Sequence, residues 1–237
     1  MRRFPSPASL GVSCVAIALF VASSTLPAIP QGAEVQQRLA DLKEAAASSQ
    51  QALANYTWEQ TETVRVNGKV RKQALYQVHL GADGKPVKTE VSQGAASGAV
   101  KQRGIRHRIN ASYEEYGKQL ATLGQSYAAQ PEPGALQQRY EKGDVTVKPA
   151  DASGVAAIVV NNYVKPGDSV TFNVDRAQKA LVGMNVATYM SDPSDKAKIV
   201  VEFARLPDGT NHVSMVDVDG LAKKLDVHET NMNYQKR

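Results

Sequence analysis

Four histidines and two closely spaced aspartates are the first candidates for chemistry. The histidines are scattered and lack the spacing of metal ligands: His79, His107, His212 and His228. Asp217 and Asp219 alternate with valines, which is typical of the solvent-facing side of a strand. No nucleophile elbow, HExxH sequence or phosphate-binding glycine loop accompanies them. We therefore expect no catalytic residue, metal or cofactor, and interpret each histidine as a solvated polar side chain. A hydrolase with an unrecognised site stays a hypothesis that a Ser/His/Asp cluster would revive.

A polar pair is predicted on the apolar face of a β-hairpin. Residues 56–66 and 70–80 alternate apolar and polar side chains around an Asn-Gly turn signal. A two-residue turn would send one apolar set to the wrong face, so the alternation favours a three-residue loop that places Val66 opposite Val70.

This register places Gln60 opposite Tyr76, and it places Glu62 and Lys72 on the apolar face as diagonal neighbours. Two interpretations of the Glu62–Lys72 pair are open. It is either an ion pair that completes the end of the sheet or a polar feature inside a concave cavity.

A basic run opens the longest predicted helix: Lys101, Arg103, Arg106 and Arg108. The dipole at a helix N-terminus favours acidic rather than basic residues, so another role is expected for these positions. Contact with anionic lipid head groups or an acidic partner is one interpretation, and a solvated face is the other. The net charge of only +5 and the lack of a binding motif argue against nucleic acid.

The first 28 residues predict a secretory signal peptide. Arg2 and Arg3 precede an apolar run that ends in small residues at Ala28. The run is shorter than the roughly 20 residues that span a bilayer. We expect an exported, periplasmic protein, with lipid anchoring or release outside the cell less favoured. The whole chain is 42% hydrophobic, which is enough for one ordinary core. We expect residues 29–237 to form a single sheet-and-lid domain.

Helices frame the remaining strands. Apolar spacing predicts amphipathic helices over residues 34–55 and 105–127 and a short helix over 135–142. Short apolar runs separated by turn residues predict an antiparallel meander over residues 155–229. Together these elements indicate an α+β fold.

The order of these elements is similar to that of a known family. A leader and an amphipathic helix precede Asn55-Tyr56-Thr57-Trp58, which opens the hairpin, and a mid-chain helix and a meander follow. This layout resembles the periplasmic lipoprotein-carrier superfamily, which sorts outer-membrane lipoproteins. The resemblance implies an α+β fold in which a strongly curved antiparallel sheet, an incomplete β-barrel, is covered by two or three amphipathic helices. It also implies an apolar concavity that receives acyl chains.

The expected function is therefore non-enzymatic binding of a lipid-like or acylated ligand. The alternative is an envelope protein-interaction or sensor module without a small-molecule ligand. The expected partners are lipid or lipoprotein acyl chains, an anionic membrane surface or an envelope protein. Strand parity predicts five ligand-lining residues, with plain core as the alternative interpretation: Trp58, Tyr76, Phe172, Met184 and Phe203.

Overall fold

The computed structural model describes residues 44, 47–94, 105–128 and 135–237. The predicted leader lies outside these residues, as does the beginning of the first predicted helix. None of the helices within the described ranges is long and apolar enough to cross a membrane.

Ten strands and three helices occupy the described ranges. The strands are β1 (Tyr56–Val66), β2 (Lys69–Leu80), β3 (Pro86–Gly94), β4 (Val145–Lys148), β5 (Val155–Asn161), β6 (Ser169–Asp175), β7 (Ala180–Tyr189), β8 (Lys196–Arg205), β9 (Asn211–Gly220) and β10 (Leu225–Lys236). The helices are α1, described over residues 47–53, α2 (Ile105–Ala128) and α3 (Ala135–Glu141).

All ten strands form one antiparallel sheet in the order β3-β2-β1-β10-β9-β8-β7-β6-β5-β4. Strand β1 pairs with both β2 and β10, so the N-terminal hairpin joins the sheet beside the final strand of the meander. Strands β3 and β4 lie at the two ends of the sheet, which does not close on itself. The predicted α+β fold, a curved open antiparallel sheet with helices, is confirmed.

The loop predicted for the first hairpin is wrong. Asn67 and Gly68 both have positive φ, 52° and 72°, as a two-residue type I′ turn requires, and Val66 pairs with Lys69. One extra residue on β2, Arg71, forms a bulge that shifts the pairing. Because the bulge corrects the parity, the rest of the hairpin keeps the predicted register.

The meander matches its prediction except at its two ends. Each predicted apolar run overlaps one of the strands β5 to β10. Strand β4 was not predicted, and β10 continues beyond the expected end at Glu229 to Lys236. This extension is polar, and it is held because β1 pairs with it from Tyr56 to Gln60.

Helix α2 covers the inner face of the sheet. Its buried side chains Tyr116, Leu120 and Tyr127 pack into the larger of two apolar clusters. We call this the main cluster; strands β5 to β10 supply most of it, including Ile158, Phe172, Met184, Val201, Val218 and Val227. Where side chains are described, the helix presents an apolar stripe to the sheet, as its spacing predicted.

Tyr116 approaches the sheet so closely that it needs a glycine beneath it. A Cβ atom at Gly220 would lie 2.4 Å from Cε1 of Tyr116. The Tyr116 hydroxyl also donates a hydrogen bond to Asp195 Oδ1 at 2.7 Å, which fixes the ring in this place. Gly220 is therefore required for space rather than for its backbone angle.

Tyr127 anchors the other end of α2. Its hydroxyl donates to Asp168 Oδ2 at 2.5 Å and lies 2.6 Å from Thr188 Oγ1. The same carboxylate oxygen accepts the backbone amides of Val164 and Lys165, each at 3.0 Å. These contacts tie the helix to the turn between β5 and β6.

Changing Tyr127 to Phe is expected to lower the free energy of unfolding by about 2 kcal/mol, because a buried hydrogen bond to a carboxylate is lost. Urea unfolding followed by circular dichroism measures the change. Tyr113→Phe is the matched control, since its hydroxyl accepts only one long, exposed contact from Asn67 at 3.5 Å. Equal stability of both variants and the wild type would show that Tyr127 does not anchor the helix through its hydroxyl.

Candidate functional site

Four charged side chains meet on the inner face where β3, β2, β1 and β10 lie side by side. Lys72 Nζ is 2.8 Å from Glu62 Oε1, and Lys88 Nζ is 3.1 Å from Glu229 Oε1. Both glutamates are 0% exposed. Together with two neutral neighbours they form the polar cluster: Gln60, Glu62, Lys72, Tyr76, Lys88 and Glu229.

Strand register brings the two glutamates together. Glu62 of β1 lies directly opposite Glu229 of β10. On its other side Glu62 faces the small side chain of Ala74, and Lys72 reaches it from the diagonal position. The predicted diagonal placement of Glu62 and Lys72 is therefore present, and the predicted pairing of Gln60 with Tyr76 is confirmed.

Burial governs the charge of the polar cluster. Burial raises the pKa of Glu229 to about 7; Lys88 opposes this change and the nearby Glu62 adds to it. Burial opposes the charge on Lys72, but hydrogen bonds to Glu62 and Tyr76 outweigh it and raise the Lys72 pKa. The cluster thus contains two lysines, and the carboxyl group of Glu229 changes its protonation near neutral pH.

Two oxygen atoms in the cluster have no hydrogen-bond donor among the described residues: Glu62 Oε2 and Gln60 Oε1. The other polar atom of each side chain is engaged, because Gln60 Nε2 donates to Glu229 Oε2 at 3.1 Å and Glu62 Oε1 accepts from Lys72. A buried acceptor without a donor costs about 1–3 kcal/mol. Such atoms are places where a ligand can supply the missing donor.

The polar cluster lies between two apolar regions. Along β1 the inward positions pass from Trp58 through Gln60 and Glu62 to Val66. Val66 belongs to the main cluster, whereas Trp58 belongs to a second one, the Trp58 cluster: Leu53, Trp58, Ala74, Tyr76, Val78 and Leu80. Small-molecule sites in proteins usually combine a few polar groups with apolar surroundings.

The indole of Trp58 is fixed from two directions. Its Nε1 donates to Asn231 Oδ1 at 3.1 Å, and Tyr234 stacks on the ring with centroids 5.4 Å apart. Both partners belong to the part of β10 that was not predicted. The extension of β10 therefore completes this side of the site.

The five predicted lining residues are all on the inner side of the sheet, but the structure divides them. Trp58 and Tyr76 lie in the Trp58 cluster. Phe172 and Met184 are cross-strand partners in the main cluster, and Phe203 is only partly buried against that cluster. Their role as ligand contacts stays a prediction.

The predicted basic patch is only partly within the described chain. Lys101 and Arg103 lie outside the described residues. Arg106 and Arg108 belong to the first turns of α2, but the structure does not describe their side chains. The patch as a binding surface stays a prediction.

Sequence reasoning missed Lys88 and Glu229 as members of the site. Both carried a usable signal, since Glu229 follows the inward Val227 by two residues and Lys88 pairs with the inward Val78. Parity alone would have placed Glu229 inside. What joined it to Glu62 was the pairing of β1 with β10, which no local pattern indicates.

The interpretation of His212 as a solvated residue is wrong. It is 8% exposed, its ring centroid lies 4.2 Å from that of Tyr234, and burial lowers its pKa. A neutral imidazole packed against an aromatic ring is a core feature. In the described parts of the chain no group of three or more His, Cys, Asp or Glu side chains could hold a metal ion.

The outer face carries a hydrogen-bonded Asp–His–Thr series. His228 Nδ1 lies 2.6 Å from Asp217 Oδ1, and its Nε2 lies 3.0 Å from Thr230 Oγ1. Thr230, His228 and Asp217 thus stand in the order of a nucleophile, a base and the acid that orients the base. Strand β10 is paired on both sides, so its amides serve the sheet ladder instead of a developing oxyanion. We assign no catalytic role to this series.

Comparison with known proteins shows likeness of structure only. No family model matches the sequence, and no curated protein matches it. A DUF1329-family protein from Desulfovibrio piger is 10% identical over 81% of this chain and 90% of its own, with a TM-score of 0.41. A domain ascribed to an outer membrane lipoprotein-sorting protein from Vibrio parahaemolyticus is 6% identical over 86% and 90%, with a TM-score of 0.45.

A LolA-superfamily protein from Nitrosomonas europaea is 10% identical over 81% of this chain and 93% of its own, with a TM-score of 0.36. Lipoprotein-sorting and LolA-superfamily structures are thus among those to which this chain is similar, as the order of its sequence elements predicted.

Proposed function

We propose that this chain is an exported, periplasmic, non-enzymatic binding protein that holds a lipid-like or acylated ligand against the inner face of its sheet. The leader predicted over residues 1–28 supports export, and residues 29–237 are the proposed binding domain. The observation that carries the proposal is the polar cluster, whose two unpartnered acceptors lie between two apolar clusters.

The composition of the inner face favours an amphiphile. Trp58 and Tyr76 are 1% and 4% exposed, so an acyl chain must replace packed neighbours there. It gains roughly 25 cal/mol for each Å² of its own apolar surface that it buries. A head group finds charged and neutral hydrogen-bonding partners at the polar cluster. The ligand would thus need both an apolar part and a polar part, as lipids and acylated molecules have.

Energy transfer from tryptophan tests this proposal directly, because the chain contains one tryptophan, Trp58. Purified protein is stripped of lipid by organic extraction and titrated with a monoacylglycerol whose acyl chain carries a dansyl group. We expect saturable binding with quenched Trp58 emission and sensitised dansyl emission. Probe binding without energy transfer, or no saturable binding at all, would contradict a site beside Trp58.

Trp58→Phe is the control for the same titration. It should abolish the sensitised emission while probe anisotropy still reports binding, since phenylalanine keeps most of the apolar surface. Native mass spectrometry of protein purified by mild extraction provides a second measurement, in which a bound acyl species is expected.

A further inference from the structure

We infer that the polar cluster selects ligands whose head group donates hydrogen bonds, as a monoacylglycerol does, over ligands whose head group only accepts them. The inference rests on the proposed function and adds to it the chemistry of the head group. It begins with the two buried oxygens that lack a donor within the described chain, Glu62 Oε2 and Gln60 Oε1.

The orientation of both side chains is fixed by their other polar atoms. Glu62 Oε1 accepts from Lys72 Nζ at 2.8 Å, which leaves Oε2 as the second oxygen of a held carboxylate. Gln60 Nε2 donates to Glu229 Oε2 at 3.1 Å. Rotating the Gln60 amide would bring its oxygen against that carboxylate oxygen, so the rotation is disfavoured when Glu229 is ionised, above its pKa of about 7.

Each lysine of the cluster lies beside one of its glutamates. Lys72 donates to Glu62 and Tyr76, and Lys88 donates to Glu229. At Glu62 Oε2 and Gln60 Oε1 a carboxylate, phosphate or ester head group would bring acceptors towards acceptors. A head group with hydroxyls supplies a donor to each of these two oxygens.

The position of the two oxygens suits a head group at the boundary of two apolar regions. They belong to successive inward residues of β1, between Trp58 and the main cluster. The Lys72 side chain is 24% exposed, so the cluster reaches the surface on that side. Because both oxygens are buried, a head group reaches them only when the Lys72 side chain moves aside, and its acyl chain then lies along the apolar side chains.

The closing experiment compares two ligands with the same acyl chain, 1-monolauroylglycerol and methyl laurate, as competitors of the dansyl-labelled monoacylglycerol at pH 8. Methyl laurate is more hydrophobic, so an apolar site without acceptors prefers it. We expect the wild type to bind the monoacylglycerol at least tenfold more tightly, because even one of the two additional hydrogen bonds corresponds to about that factor.

Glu62→Gln tests the inference at one atom. The amide oxygen keeps the contact to Lys72, and the amide nitrogen then takes the place of Oε2, which exchanges an acceptor for a donor. We expect this variant to lose or reverse the preference. Glu59→Gln is the matched control, because Glu59 lies on the opposite face of the same strand, and it should keep the wild-type preference.

Equal displacement by both ligands, in the wild type and in Glu62→Gln alike, would overturn the inference and leave the proposed function standing. If neither ligand displaces the probe, both fail. Thermal unfolding by circular dichroism checks that the variants fold. Should Glu62→Gln not fold, Gln60→Met removes the other acceptor at similar volume, and an unchanged preference in that variant would overturn the inference.

Discussion

Replacing Glu229 by glutamine is expected to raise the free energy of unfolding by about 3 kcal/mol near pH 8 and to change it little near pH 4. Burial raises the Glu229 pKa from 4.5 to about 7 in the folded protein. A pKa that differs by one between the folded and unfolded states changes the free energy of unfolding by about 1.4 kcal/mol. Glutamine imitates the protonated side chain and cannot ionise.

The sign follows from proton binding in the two states. Between pH 4.5 and about 7 the unfolded chain has released this proton while the folded chain still holds it. The unfolded state therefore binds fewer protons, and the stability that Glu229 contributes falls as the pH rises through this window. Above the folded pKa the loss is complete, so the advantage of glutamine is greatest there.

Urea unfolding at a series of pH values measures the effect. The wild type should lose stability from mildly acidic to neutral pH, and Glu229→Gln should lose much less. Glu59→Gln should retain the wild-type slope, because its side chain lies on the outer face. A wild-type slope in Glu229→Gln would show that Glu229 is not the group responsible.

Gly220→Ala is expected to destabilise the protein by about 3 kcal/mol. The new methyl group would lie 2.4 Å from Cε1 of Tyr116, so either the helix or the ring must move. The hydroxyl of Tyr116 is held by Asp195, which restricts the movement of the ring. Chemical denaturation gives the change in free energy.

A nearby glycine provides a control of opposite sign. A Cβ atom at Gly117 of α2 would meet only Leu225 Cδ1, at 3.9 Å, which is an ordinary contact. Gly117→Ala should therefore stabilise by up to about 1 kcal/mol through helix propensity. In a Tyr116→Ala background the Gly220→Ala penalty should largely disappear, and a penalty that persists there would exclude the clash as its cause.

Local pattern was sufficient for most elements of the fold. Apolar residues alternate along β1 and β2, and they recur every three or four residues along α2. Each pattern marks the face that the element buries, so it can be read from the sequence. Strand β4 has only four residues, and its two valines are too short an alternation to indicate a strand, so it went unpredicted. The bulge at Arg71 was missed because a single unpaired residue leaves no trace in the hydrophobic pattern.

Within the candidate site, only the contacts inside one hairpin could be predicted from the sequence. Glu62 and Lys72 lie on one hairpin, so turn and parity were enough to bring them together. Glu229 and Asn231 come close to the inward residues of β1 because β1 pairs with β10. This pairing depends on backbone hydrogen bonds that any sequence can make, so no residue pattern predicts it. Parity also predicted that Phe172 points inward but could not assign it to the main cluster rather than to the Trp58 cluster.

The pairing of β1 with β10 also sets the order in which the molecule can assemble. Gln60 and Glu229 are 169 residues apart, and Trp58 and Asn231 are 173 apart. Contacts of such long range form late, because most of the chain must be ordered before they close. Until β10 arrives, β1 is an open edge that bears an indole and an unmatched carboxylate, a target for chaperones and for misassembly. The candidate site is therefore complete only after β10 has paired with β1, and a chain that has not finished folding lacks it.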